Sequence, residues 1–145
     1  INAQARALTA QGVRAIVAVI HEGGDADGGV NACEQPHGPI FDIVHAIDPA
    51  VDLVLSAHTH RGYNCVVDGR VVIQGASFGR LLSVVDLAID RATGEVLRER
   101  VQAVNTPVPN GLDAAGSDAQ RDPAVRVAYP ALAPDPQVAA LVDHY

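Results

Sequence analysis

The chain contains no lysine; all ten of its basic residues are arginine. It has no basic cluster, and aromatic residues make up only 3%. Polymeric nucleic acid calls for a cationic groove and often for aromatic stacking platforms. That pairing is missing, and the formal net charge of -7 opposes it further. A small anionic substrate stays open if a local charge, such as a metal ion, concentrates the attraction. No apolar run approaches the roughly 20 residues needed to span a bilayer as a helix. No signal peptide or basic arm stands at the start. Cysteine is scarce: Cys33 and Cys65 are two thiols, too few for a structural zinc site alone. They leave a disulfide, buried thiols or mixed His/Cys ligation.

What is present is enough for a core. The chain has 145 residues, 48% of them hydrophobic, which suits one domain. Residues 2–11 read as a helix that stops at Gly12. Ile1, Ala5 and Leu8 fall on one face of it, so the segment reads as cut from a longer protein. Residues 15–20 form a β-branched apolar run, expected to be a strand buried on both faces. The Gly-, Asp- and Pro-rich stretch 22–39 reads as a long loop. Ile40, Phe41, Ile43, Val44 and Ile47 follow helical spacing. Residues 51–56 read as a second buried strand. Strand, loop, helix, strand is a right-handed crossover unit with a parallel pair.

Further on, Cys65–Val67 and Arg70–Ile73 flank Asp68-Gly69, a two-residue hairpin signal. Residues 81–90 and 95–104 read as an antiparallel pair of strands. Residues 105–134 read as an irregular excursion or linker. Asp135-Pro136 opens a last helix, with Asp as cap and Pro in the first turn, still running at Tyr145. The fold class is therefore α/β. The organisation expected is 1–104 as one structural part, 105–134 as excursion or linker and 135–145 as the start of a helix leading to a further C-terminal domain.

The chemistry concentrates at strand ends. His21 follows the first buried strand directly, and His58 and His60 follow the second. In open α/β sheets ligands bind beyond the carboxyl ends of strands, and imidazole is the commonest protein metal ligand. A His-x-His in an extended loop points both rings to one side or lets each reach a different ion. Three histidines suffice for a mononuclear zinc site, or for half of a binuclear one with ions roughly 3.5–4 Å apart. As ordinary loop residues they would be solvated. His37 reads as a solvated loop residue, His45 as helix packing or partly exposed, His144 as terminal. Asp25 and Asp27 suit a hard cation but read better as a solvated turn.

The block Val51–His60, ending in Ala57-His58-Thr59-His60, resembles the Gly-His-Thr-His block of the calcineurin-like metallophosphoesterases. Ile16–Gly24 resembles their earlier strand-then-histidine block. Asn31-x-Cys33, Gly38-Pro39-Ile40, Asp48-Pro49-x-Val51-Asp52, Tyr63-Asn64-Cys65 and Gly75-x-x-x-Gly79-Arg80 are similar to the secreted 5′-nucleotidase and 2′,3′-cyclic-nucleotide phosphodiesterase branch. The resemblance covers about residues 1–104. It implies the C-terminal half of an αββα sandwich holding two divalent ions, Mn, Zn or similar, that activate water for attack on phosphorus. His21 and His58 would serve one ion and His60 the other. Asn64 and Arg80 are candidate substrate contacts. Ala57 stands where the family has glycine, tolerable if φ is negative there. The family's opening Asp-x-His, bridging Asp and Asn-His blocks would lie before residue 1, so no complete catalytic set is expected within the segment.

Cys33 and Cys65 lie in the loops that carry the histidines. A Cys33–Cys65 disulfide is expected if those loops meet, with a periplasmic, extracellular or cell-surface location. The function implied is metal-dependent hydrolysis of nucleotides, with the segment alone inactive. The alternatives are a non-catalytic metal-binding or structural segment, and a manganese enzyme acting on a sulfur-linked ester. Half a sandwich would expose the apolar faces of strands 15–20 and 51–56, so dimerisation or domain swapping is expected.

Overall fold

A computed structural model describes residues 1–108 and 133–144. The chain divides into two compact units, Ile1–Thr106 and Pro107–Tyr145. The first unit opens with helix α1 (Asn2–Ala10) and strand β1 (Val17–Ile20). A short hairpin follows, β2 (Asp25–Asp27) and β3 (Glu34–His37). Helix α2 (Pro39–Ala46) leads to β4 (Leu53–Ser56), β5 (Gly62–Val67) and β6 (Arg70–Gly75). Strands β7 (Leu81–Asp86) and β8 (Gln102–Pro107) follow.

Four strands form one mixed sheet in the order β1-β4-β6-β5. β1 runs parallel to β4, with Val17 opposite Leu53 and Ile20 opposite Ser56. β4 runs parallel to β6, and β6 antiparallel to β5. The β1–α2–β4 crossover is thus the parallel unit that the alternation of strand and helix requires. Asp68 and Gly69 close the β5–β6 hairpin, both with positive φ (49° and 71°). Two such residues make the turn whose twist matches the strands.

The central strands of the sheet are covered on both faces. Ala5, Ile40, Phe41, Val44 and Ile47 of the helical side pack with Val54, Tyr63, Cys65 and Val72. On the other face Leu53, Val71 and Ile73 meet Leu55, Val85, Leu87, Val101 and Ala103. β7 and β8 form their own two-stranded sheet. The result is α/β, with layers of helix, mixed sheet and strand pair.

The structure corrects several expectations. β1 is not buried on both faces: Val17 is 41% and Val19 79% exposed. It is an edge strand, and the cluster around β7 and β8 reaches Leu53, Val71 and Ile73 rather than β1. The 51–56 strand, by contrast, is covered, with Leu53 and Val54 both buried. The 22–39 stretch is not simply a loop, because Asp25 pairs with His37 and Asp27 with Glu34 across a bulge. Residues 95–104 are not one strand. Ile89 and Val96 form an isolated antiparallel bridge. Arg98–Arg100 then turns as a 3-10 helix before β8 begins.

Arg98 explains that turn. Its guanidinium pairs with Asp52 at 2.9 Å and also donates to the carbonyls of Pro49 and Val51. Asp52 is 4% exposed, and its other oxygen accepts from the Ile16 amide at 2.9 Å. A buried carboxylate needs such partners. This group ties the start of β1, the start of β4 and the 98–100 turn together, at the end of the sheet away from the histidines.

Of the 105–134 excursion, Asn105–Pro107 belong to β8; most of the remainder, 109–132, lies outside the described residues. Helix α3 (Pro136–His144) begins where the sequence places it. Asp135 caps it, Oδ1 accepting from the amides of Gln137 (2.9 Å) and Val138 (3.1 Å). Tyr145 lies outside the described residues. Among the described residues, no helix is long and apolar enough to cross a membrane.

Candidate metal centre at the strand ends

Parallel pairing of β1 and β4 brings their carboxyl ends side by side, and with them His21 and His58. His21 Nε2 lies 3.2 Å from His58 Nδ1, the rings edge to face at 74°. Both residues are exposed. As a hydrogen bond, one of the two nitrogens donates and the other accepts. Ligand atoms 2.0–2.1 Å from a tetrahedral zinc lie about 3.3–3.4 Å apart. The observed separation therefore fits two nitrogens of one coordination shell.

Close loop packing makes this approach possible. The Ala57 amide donates to the Glu22 carbonyl at 3.1 Å, and the Ile40 amide to the Gly23 carbonyl at 3.2 Å. A Cβ on Gly23 would stand 2.2 Å from the Ala57 carbonyl oxygen and 2.6 Å from Thr59 Oγ1. Only glycine lets the two histidine loops come this close.

Under the loops runs a polar chain whose central members, Tyr63 and Gln74, are buried. Ser56 Oγ lies 2.7 Å from the Tyr63 hydroxyl. Tyr63 donates to Gln74 Oε1 (3.2 Å), Gln74 Nε2 donates to Thr59 Oγ1 (2.9 Å), and Thr59 donates to the Gly24 carbonyl (2.7 Å). Tyr63 and Gln74 are almost fully buried. Burial pushes the Tyr63 phenol up, so it stays neutral and able to donate. The chain fixes Thr59, between the two histidines of the His-x-His, against the loop that follows His21.

The backbone here is unusual. His58 (φ 75°) and His60 (φ 57°) occupy the left-handed region, as do Ala76 (φ 54°) and Phe78 (φ 57°). Ala57 does not, so alanine in place of glycine meets no strain there. Left-handed backbone costs a non-glycine residue on the order of 1–2 kcal/mol, and such residues cluster at functional sites.

The histidines do not all converge. His60 turns to Phe78, ring centroids 5.4 Å apart, rather than to the His21–His58 pair. Among the described residues no group of three or more His, Cys, Asp or Glu is placed to hold a metal ion. Arg80 lies with its guanidinium carbon 5.3 Å from the Phe78 ring centre. Asn64 donates instead to the Ala103 carbonyl (2.7 Å), which ties β5 to β8. The acidic loop is engaged as well. The Arg61 guanidinium beside Asp25, 2.7 Å away, holds its carboxyl below the usual carboxylate range. His45 lies 2.9 Å from Asp68, and His37 accompanies the Gln35 carbonyl.

Cys33 and Cys65 are joined by a disulfide. It links the β2–β3 hairpin to β5, and Asn31 extends the link by bonding Asn105 in both directions, at 2.8 and 2.6 Å. Sequence reading missed Phe78, Gln74, Tyr63 and Asn105. Gln74 follows the strand-like run Arg70–Ile73 directly, and a polar residue there is the signal that could have marked it, whereas Asn105 falls in the stretch that reads as irregular and becomes part of a strand only in the structure.

No family model and no solved structure matches the chain. One similarity among curated proteins is to Endonuclease YhcR of Bacillus subtilis (strain 168), at 29% identity over 104 residues. The aligned stretch is 72% of this chain and 8% of that protein, so the chain spans under a tenth of the relative's length.

Proposed function

We propose that this chain contributes a metal-binding edge to a divalent-metal-dependent phosphoester hydrolase acting on nucleotides. The observation that carries the reading is the 3.2 Å approach of His21 Nε2 and His58 Nδ1 beyond two parallel strands. Supporting it are the left-handed histidines, the resemblance to calcineurin-like metallophosphoesterases, and the similarity to a protein named as an endonuclease.

In this reading His21 and His58 hold one ion, and His60 supplies a ligand to a second by turning away from Phe78. Divalent ions, when bound, neutralise charge on the phosphate and supply an activated water. The chain's own groups provide position. Gly23 lets the loops close, the Tyr63–Gln74–Thr59 chain fixes them, and the disulfide restrains the hairpin beside them. The net charge of -7 favours a small nucleotide over a polymer, because the protein's field repels a long polyanion. The disulfide supports a location in an oxidising compartment, periplasmic or extracellular.

The test is hydrolysis by the full-length protein. Loaded with Mn2+ or Zn2+, it should cleave 5′-AMP, 2′,3′-cyclic AMP or bis(4-nitrophenyl) phosphate, and EDTA should abolish turnover. No metal-dependent cleavage of any of the three sinks the hydrolase reading. A second reading, a metal-binding segment without turnover, is favoured by the absence of a third converging ligand among the described residues. Metal uptake without cleavage is its signature.

A further inference from the structure

Asn105 of β8 is 1% exposed. Burying a carboxamide costs free energy unless hydrogen bonds replace its water. Its Nδ2 donates to three main-chain carbonyls, those of Val30 (2.7 Å), Gln74 (3.0 Å) and Tyr63 (3.1 Å). Its Oδ1 accepts from the Ser83 hydroxyl. Carbonyls only accept, so three of them around one end of the amide require the NH2 there. The orientation of the group is therefore fixed, and Ser83 must be the donor at the other end.

The four partners come from the β2–β3 turn, β5, β6 and β7. Two of them stand at the end of the sheet that carries the histidines. Tyr63 and Gln74 lie opposite each other, one step inside the Gly62–Gly75 pair. The His-x-His loop leads into Tyr63, and the loop with left-handed Ala76 leads out of Gln74. The same two residues reach the site with their side chains. Tyr63 donates to Gln74, and Gln74 donates to Thr59, which separates His58 from His60. Asn105 thus holds the main chain of the residues whose side chains hold the His-x-His. A buried polar network with every member satisfied specifies one arrangement.

We propose that Asn105 is a positioning residue for the candidate metal centre, setting through Tyr63, Gln74 and Thr59 where the His58 ring meets His21. This rests on the metal-centre reading for its purpose, but the meeting of the rings can be read without metal or turnover.

The experiment compares the full-length protein with Asn105→Asp and Val51→Ala, each studied well below its Tm. Asn105→Asp keeps the size and the Ser83 contact but turns an oxygen toward three carbonyls. Val51, 1% exposed and next to Asp52 at the far end of the sheet, opens a core cavity without touching the network. Long-range 1H–15N NMR in EDTA reads the contact of His21 Nε2 with His58 Nδ1, and calorimetry reads zinc affinity. Asn105→Asp should shift both nitrogens and weaken zinc binding by roughly tenfold or more, the scale for groups that orient a ligand. Val51→Ala should do neither. Wild-type shifts and affinity in Asn105→Asp overturn the proposal, as does an equal change in Val51→Ala, which would mark lost stability alone. If Asn105→Asp does not fold, Ser83→Ala takes its place. It removes one hydrogen bond and should weaken zinc binding by about twofold to tenfold; unchanged shifts and affinity there overturn the proposal as well. No zinc uptake by the wild type removes the metal-centre reading and the proposal with it, whereas wild-type shifts in Asn105→Asp remove only the role of Asn105. Asn105-dependent zinc binding without phosphoester cleavage sustains the proposal and removes the hydrolase reading.

Discussion

Replacing His58 is expected to lower the affinity of the full-length protein for Zn2+ or Mn2+ by more than about 100-fold. Loss of a group that merely orients a ligand costs 10–100-fold, and loss of a ligand should exceed that. Hydrolysis should fall in parallel. The choice of substitution matters because His58 sits at φ 75°. Alanine there keeps the backbone strain that His58 already carries, whereas His58→Asn tolerates the left-handed region better. Both variants should lose metal to a similar extent, measured by calorimetric titration and by bound metal after gel filtration. His45, which pairs with Asp68 on the surface, provides the control: His45→Ala should leave metal affinity unchanged. Metal content equal to wild type in His58→Asn would remove His58 from the ligand set.

The second large effect is on stability. Cys33 and Cys65 are 32 residues apart in sequence. Closing a loop of that length is worth ~3–4 kcal/mol in the chain-entropy account. Cys65→Ser, or reduction, should therefore lower Tm by roughly 10–15 °C, since 1 kcal/mol shifts a unit of about 100 residues by roughly 4 °C. Cys65 is fully buried, so Cys65→Ser also places a hydroxyl in the core, and the double replacement Cys33→Ala with Cys65→Ala separates the two effects. The hairpin held by the bridge also carries Asn31, whose bonds to Asn105 anchor β8. Proteolysis in the 28–33 turn should accelerate in the reduced protein. A Tm that does not move on reduction would show that the hairpin is already held by those hydrogen bonds.

Much of the fold was legible because it is local. The β-branched run of β1, the helical spacing of α2 and the Asp68-Gly69 turn each carry their own signal. The Asp135 cap does so as well. What covers a strand is not local, which is why the run through Val17 and Val19 reads as fully buried although it forms an open edge. Arg98 breaks the 95–104 strand because Asp52, 46 residues earlier, draws its guanidinium inward. Nothing near Arg98 in sequence announces that partner. The β2–β3 hairpin was hidden for a different reason: its bulge and Pro36 erase the alternation that identifies a strand. At the candidate site, the strand ends bearing His21 and His58 were legible, and parallel pairing brings the two rings together. The turn of His60 toward Phe78 was not, since it depends on a loop some sixteen residues further along whose conformation only the tertiary structure reveals.

The central claim concerns two particular nitrogen atoms, so the most direct measurement is long-range 1H–15N NMR of the imidazoles during Zn2+ titration of the full-length protein. The account predicts that His21 Nε2 and His58 Nδ1 shift together to metal-bound positions at one equivalent of zinc, and that His58→Asn abolishes both shifts. Imidazole nitrogens of His21 and His58 that stay unchanged at saturating zinc would contradict it.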